Sequence, residues 1–268
     1  MSFVLPLLVF AFASGAGPET QTPPAPQHLE RLFDGFDATL VLYEQNSDQT
    51  WIYNETKAKI GTLPCSTFKI PNTLVGLETG VLKDGESILH RDAAKFPEQD
   101  WWRQSWRTDQ AKLSTAFSHS MVWYYCTLAD RVTNPVIAKH LKNWQYPVPP
   151  NQKPGFYFWL EGNHSVSPMD QVAFLRRFYN QELGLRAQTT ATMKEILVLE
   201  EGDGYRFSGK TGLCRMPDND KVGWLVGYLE HRKGLYFYAL RLEGKEYADI
   251  MKHRTPLVRK LFKDMNLL

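Results

Sequence analysis

The chain has 268 residues, 43 % of them hydrophobic and 22 % charged, with a formal net charge of +2. That length suits one large domain or two lobes sharing a core, and the near-balanced charge gives no electrostatic case for a nucleic-acid partner. Aromatic residues reach 13 %, with eight Trp, which predicts a rigid core and aromatic-lined clefts.

Leu5 to Ala13 is an apolar run followed by Ser14-Gly15-Ala16-Gly17. It is too short to span a bilayer and resembles a signal-peptide core, although Met1-Ser2-Phe3 carries no Lys or Arg. The expected organisation is a signal peptide at 1–16, a Pro-rich flexible leader at 17–26 and a single domain at 27–268. The mature protein is expected to be secreted and periplasmic, with no stable membrane insertion after signal removal. No cysteine follows the run, so a lipoprotein anchor is not supported.

His28 to Phe33 reads as a short amphipathic helix. Ala38–Tyr43 and Trp51–Tyr53 read as a β-hairpin across Asn46-Ser47-Asp48. The pattern then becomes helical: Ser66–Leu82, Leu113–Ser120, Met121–Val132, Pro135–Trp144, Met169–Tyr179 and Ala191–Leu197. Tyr146-Pro147-Val148-Pro149-Pro150 interrupts it as a loop. Strands return at Tyr205–Thr211, Val222–Tyr228 and Leu235–Leu240, and a last helix runs from Pro256 to Met265. Strands at both ends imply an α+β fold: a central antiparallel sheet built from both chain ends, flanked by helices. The sheet lobe is expected at 27–62 and 200–268, with a helical lobe inserted at 63–199.

Pro64-Cys65-Ser66-Thr67-Phe68-Lys69-Ile70-Pro71 carries the first candidate chemistry. Ser66 and Lys69 stand at i and i+3, on one helical face. A serine hydroxyl needs an adjacent base and, for acyl transfer, N–H groups aimed at the oxyanion. Phe68, Ile70, Leu74 and Val75 make the segment apolar, and a buried unpaired lysine is pushed toward the neutral amine, a possible base. The same pattern is also that of a helix-capping serine followed by a solvated lysine. Ser120-Met121-Val122 follows at a helix junction, where a serine can bridge two lysines. Lys210-Thr211-Gly212 lies on a returning strand, the glycine letting a substrate approach the backbone.

Cys65, Cys126 and Cys214 are an odd number without metal-ligand spacing, and are expected to be three small buried hydrophobic residues. Cys65 beside Ser66 does not make a cysteine enzyme, because no His lies nearby in sequence. The seven His show no metal-ligand spacing, so no metal is expected.

Ser-x-x-Lys, Ser-x-Val and Lys-Thr-Gly in this order resemble the penicillin-recognising serine enzymes. With Val122 at the central element, Trp159-Leu160-Glu161-Gly162 and the Gly223-Trp224 to Val226-Gly227 strand, the chain resembles the class D β-lactamases, the oxacillinases, from about residue 30 onward. The resemblance implies hydrolysis of the β-lactam ring through an acyl-serine at Ser66. It implies that Lys69 is N-carboxylated by CO2 and is the general base, so that no cofactor beyond CO2 or bicarbonate is needed. Phe68, Val122 and Leu160 favour a neutral amine, and Trp159 donates its indole N–H to the carbamate. Ser120 and Lys210 serve the β-lactam nitrogen; Thr211 and Arg254 hold the substrate carboxylate. The N–H groups of Ser66 and Leu213, flanking Gly212, form the oxyanion hole. The partner is a small-molecule β-lactam, and oligomeric state stays open. The family's usual Tyr-Gly-Asn is Tyr146-Pro147-Val148 here, which bears on cleft shape and substrate range around Trp106 and Tyr146. Two other readings share Ser66 and Lys69: a β-lactam sensor that acylates without turnover, and a cell-wall peptidase.

Overall fold

The structure, a computed structural model, describes residues 26–162, 164–216 and 220–268. The expected signal peptide, and all of the expected leader except Pro26, lie outside the described residues. In chain order the elements are α1 (Pro26–Leu32), β1 (Asp37–Glu44), β2 (Gln49–Tyr53), α2 (Glu55–Ala58), a 3₁₀ turn (Cys65–Phe68), α3 (Lys69–Glu78) and β3 (Ile88–His90). There follow β4 (Gln110–Lys112), α4 (Leu113–Ser118), α5 (Val122–Val132), α6 (Asn134–Asn143), α7 (Pro168–Tyr179) and α8 (Ala187–Ile196). The chain closes with β5 (Val198–Gly202), β6 (Tyr205–Arg215), β7 (Lys221–His231), β8 (Gly234–Gly244) and α9 (Tyr247–Asp264). No helix among the described residues is long and apolar enough to cross a membrane.

Six strands form one antiparallel sheet in the order β2-β1-β8-β7-β6-β5, so the N-terminal hairpin joins the C-terminal strands through β1 and β8. Helices cover both faces, which is why β1, β7 and β8 are almost continuously buried. The period-2 alternation sorts their side chains. Leu40, Leu42, Leu225 and Leu240 face α1 and α9. Val41, Tyr43, Trp224 and Val226 face the helical lobe with Leu74, Tyr125 and Phe174.

The β3–β4 hairpin inside the expected helical lobe was not read from the sequence, and three further differences have a physical reason. β5 is a sixth strand, hidden because Glu200 and Glu201 give an edge strand a polar pattern. The last helix starts at Tyr247, not Pro256, and carries Pro256 inside it. An internal Pro costs about 3 kcal/mol, but Ile250, Leu257, Val258, Leu261 and Phe262 bury on one face, each contributing about 1.5–3 kcal/mol, so burial wins. Finally, Cys65 and Cys214 are joined as a disulfide across 149 residues, and Cys126 alone of the three is free and buried. An odd cysteine count carries no sign of this pair, because it depends on β6 lying beside the 3₁₀ turn. In the chain-entropy account the cross-link constrains the unfolded chain by roughly 5 kcal/mol.

Candidate active site

Ser66 sits in the 3₁₀ turn, not in an α-helix as its sequence suggests; α3 begins at Lys69 and ends at Glu78. Pro71 is the third residue of α3, where a missing N–H is tolerated. The turn is held from several sides. The Pro64 carbonyl accepts from Thr67 N–H at 3.1 Å and from Thr67 Oγ1 at 2.6 Å. Gln171 Nε2 of α7 donates to Thr67 Oγ1 at 2.9 Å. Trp224 Nε1 of β7 donates to the Leu63 carbonyl at 3.0 Å.

Lys69 is 1 % exposed, and its Nζ donates to Ser66 Oγ at 3.0 Å. Burial pulls its amine down to about 8, so its neutral form is far more populated near neutral pH than in an ordinary lysine, though still the minority. Its Nζ lies 5.0 Å from the centre of the Tyr125 ring. Cys126 adds to the wall, its own thiol pushed well up by burial. Val122 opens α5 and, like Leu160, is partly buried against this core. Trp159 is 1 % exposed and stacks on Phe68 at 5.4 Å.

Ser120 owes its position to the end of α4. Ser120 N–H bonds to the Phe117 carbonyl at 3.1 Å and Met121 N–H to the Ala116 carbonyl at 2.8 Å, the paired bonds of a Schellman motif. Ser120 therefore takes a left-handed φ of 59° where glycine is usual. Trp106 Nε1 secures the same turn by donating to the His119 carbonyl at 2.9 Å. This geometry delivers Ser120 Oγ to Lys210 Nζ at 2.7 Å.

Lys210 is 3 % exposed, and burial, then Lys69, Arg254 and Arg103, hold its amine well below the usual lysine range. Thr211, Gly212 and Leu213 continue β6 opposite Leu225, Trp224 and Gly223 of β7. A Cβ on Gly212 would stand 3.0 Å from the Pro64 carbonyl oxygen and 3.3 Å from Thr67 N, so this glycine lets β6 lie against the Ser66 turn. β5 pairs only as far as Ser208, so from Lys210 onward β6 has no strand on its outer side among the described residues. Arg254 of α9 donates from Nη1 to the Gly212 carbonyl at 2.7 Å. Burial, then Arg103, pulls it down to about 10, still a cation at neutral pH. Of its neighbours in sequence, Arg259 pairs instead with Glu200.

Every residue proposed from the sequence thus lies on or beside one junction of the 3₁₀ turn, the α4–α5 turn, β6 and α9. Three neighbours were missed. Arg103 adds positive charge felt by Lys210 and Arg254; its flanking Trp101, Trp102 and Trp106 were the available signal. Asn72 is fully buried one turn after Lys69, with neither amide atom hydrogen-bonded within the structure. His164 is 1 % exposed inside a cage of Phe68, Phe158 and Tyr146, its Nε2 2.9 Å from the Pro147 carbonyl oxygen. Tyr146 itself lies buried behind the nucleophile turn, against Phe174 at 4.8 Å. A surface hollow of about 570 Å³ lined by Tyr179, Glu201, Arg206 and Glu230 shares no residue with the site.

The chain matches the penicillin binding protein transpeptidase domain over residues 39–263. It is 31 % identical over 219 residues to the regulatory protein BlaR1 of Bacillus licheniformis, covering 81 % of this chain but only 35 % of that relative. It is 29 % identical over 220 residues to a probable beta-lactamase, YbxI, of Bacillus subtilis (strain 168), covering 81 % and 78 % of the two chains. Among solved structures, a class D beta-lactamase, YbXI, from Nostoc superposes with a TM-score of 0.82 at 30 % identity, over 90 % of this chain and 99 % of the other. A paired serine and dry lysine at the head of α3, faced by Lys-Thr-Gly on β6, therefore come with matching ancestry: the chain belongs to the penicillin binding protein transpeptidase domain family and, within it, to the class D serine β-lactamases.

Proposed function

We propose that the protein hydrolyses the β-lactam ring of penicillins and related antibiotics through an acyl-serine intermediate. The observation that carries this reading is the hydrogen bond from a fully buried Lys69 amine to Ser66 Oγ at 3.0 Å. A neutral amine is the form that captures CO2, and the apolar wall, with an amine drawn down to about 8, fits an N-carboxylated Lys69. Carboxylation would supply a general base at Ser66 without metal. Val122, Leu160 and Trp159 are the residues to keep it dry.

In this reading Ser66 Oγ attacks the lactam carbonyl carbon while its proton passes to the base at position 69. The N–H groups of Ser66 and Leu213 receive the oxyanion. The ring C–N bond breaks, and the nitrogen takes a proton by way of Ser120, which Lys210 holds at 2.7 Å. Thr211 and Arg254 bind the substrate carboxylate, favoured by the positive field of Arg254 and Arg103. Water then attacks the ester carbonyl and Ser66 Oγ leaves, regaining its proton. Export to the periplasm, and with it antibiotic resistance, fits this activity and the expected signal peptide.

The 31 % identity to a regulatory protein over 219 residues favours one second reading, a β-lactam sensor that stops at the acyl-serine. Intact-protein mass spectrometry after mixing with penicillin separates the two. An adduct that decays within seconds to minutes, with continued turnover of a chromogenic cephalosporin, is the hydrolase result. A stable stoichiometric adduct is the sensor result, and absence of any adduct on Ser66 rejects both.

A further inference from the structure

We propose that the Cys65–Cys214 disulfide is a positioning device for the oxyanion hole. This rests on the acyl-serine reading above. Cys65 immediately precedes Ser66, and Cys214 immediately follows Leu213, so the cross-link ties together the neighbours of the two N–H donors. Its Cα atoms are 5.7 Å apart.

Two features explain why the junction needs a tether. From Lys210 to Arg215, β6 has β7 on one side and no strand on the other among the described residues, so this stretch is a half-paired edge. An edge segment moves more readily than a strand held on both sides. On the opposite bank, Cys65 has a φ of 52°, left-handed for a residue with a Cβ. Such a conformation persists when its surroundings over-determine it, and it relaxes readily otherwise. Rotation there would turn the Ser66 N–H, since the next peptide group follows directly. Gly212 packs against the Pro64 carbonyl oxygen and holds the strand at van der Waals distance, but packing resists approach and not separation. Against separation the turn has the hydrogen bond from Trp224 of β7 to the Leu63 carbonyl, and the disulfide adds a covalent restraint directly beside the two donors. Cys65 is fully buried and Cys214 partly exposed.

The tether acts on donor geometry, so its loss should lower the rate of acylation more than substrate binding, and should leave capture of CO2 by Lys69 alone. The test compares the wild-type chain with Cys65→Ala/Cys214→Ala by rapid mixing with a chromogenic cephalosporin, reading the acylation rate constant and its saturation constant separately. Labelled-bicarbonate NMR of the lysine carbamate is read on the same samples. The expected result is a roughly 10- to 100-fold slower acylation, with the saturation constant changed by about twofold or less and the carbamate signal intact. Wild-type protein treated with dithiothreitol, which supplies two electrons and two protons to give two thiols, should slow equally and recover on reoxidation. Alkylation and intact mass count the thiols.

Acylation at the wild-type rate in either tetherless form overturns the proposal. A loss matched by loss of the carbamate signal also overturns it, since the bond would then act through Lys69. Collapse of native circular dichroism in both forms overturns it too, because the bond would then hold the fold and not the donors. A wild-type chain that never acylates rejects the acyl-serine reading itself, and this inference with it.

Discussion

The two faces of the six-stranded sheet are filled on different terms. Toward α1 and α9 the filling is apolar except where Arg254 reaches Gly212: Phe262 touches the rings of Phe207, Tyr236 and Tyr238, with Leu257, Val258 and Leu261 beside it. Toward the helical lobe the same sheet covers Lys69, Asn72, His164, Gln171 and Lys210, all nearly or fully buried. Burying amines without carboxylate partners works against stability. The comparison teaches that this molecule takes its stability from one face and spends part of it on the other, where burial draws two amines below the usual lysine range.

The largest expected effect tests that division directly. Lys69→Met keeps volume and removes the proposed base, so turnover should fall about 10³-fold, while the melting temperature holds or rises because a buried amine has gone. A melting temperature that falls together with activity would mean Lys69 is structural. On the other face, Phe262→Ala should cost roughly 3–5 kcal/mol in urea unfolding, with kcat/KM at low temperature within about twofold of wild type, since the ring packs on Phe207, Tyr236 and Tyr238, none of them a proposed site residue. A large loss of kcat/KM in the folded variant would show the faces are not separable.

Gly212→Ala sharpens the boundary between them. Its Cβ would meet the Pro64 carbonyl oxygen at 3.0 Å, so β6 must shift from the nucleophile turn. Turnover should drop about tenfold or more, with less than about 1 kcal/mol lost in unfolding; unchanged turnover would show that the close approach is not needed.

The smallest effects are read against pH. Burial holds His164 down at about 4 against an ordinary 6.5, so it is neutral when folded. Between these values the unfolded chain binds a proton that the folded chain refuses. Stability from this site is therefore full above about pH 6.5 and is lost as pH falls toward 4, by an amount of order 3 kcal/mol. In His164→Gln that part of the slope should vanish, as seen by urea titrations at pH 4.5 and 7; an identical slope would place the titration elsewhere. For Lys69 the sign concerns activity: below about 8 the amine protonates, so dependence on added bicarbonate should deepen as pH falls from 8 to 6. Equal dependence at both pH values would argue against CO2 capture by this amine.

Much of the site is legible locally. Ser66 and Lys69 share a face whether the first turn is α or 3₁₀, because both spacings bring i and i+3 together. Lys210, Thr211 and Gly212 stand out as two polar side chains and a glycine inside a strand pattern. Other parts are not local properties. β5 is a strand because β6 offers it a partner, not because Glu200 and Glu201 favour one. The α9 helix runs through Pro256 because burial on the sheet outweighs one missing hydrogen bond. His164 has no distinguishing neighbours in sequence, and its cage is assembled from Phe68, Tyr146 and Phe158.

By itself the sequence determined the α+β class, the two-ended sheet and the order of the reactive motifs, since periodicity and short spacings are set by backbone geometry over a few residues. Tertiary structure alone decided that Cys65 bonds Cys214, that Ser120 meets Lys210 across 90 residues, and that Lys69 is buried enough to have its amine drawn down toward about 8. Those outcomes depend on which distant surfaces exclude water and approach within bonding distance, and that is a property of the packed chain.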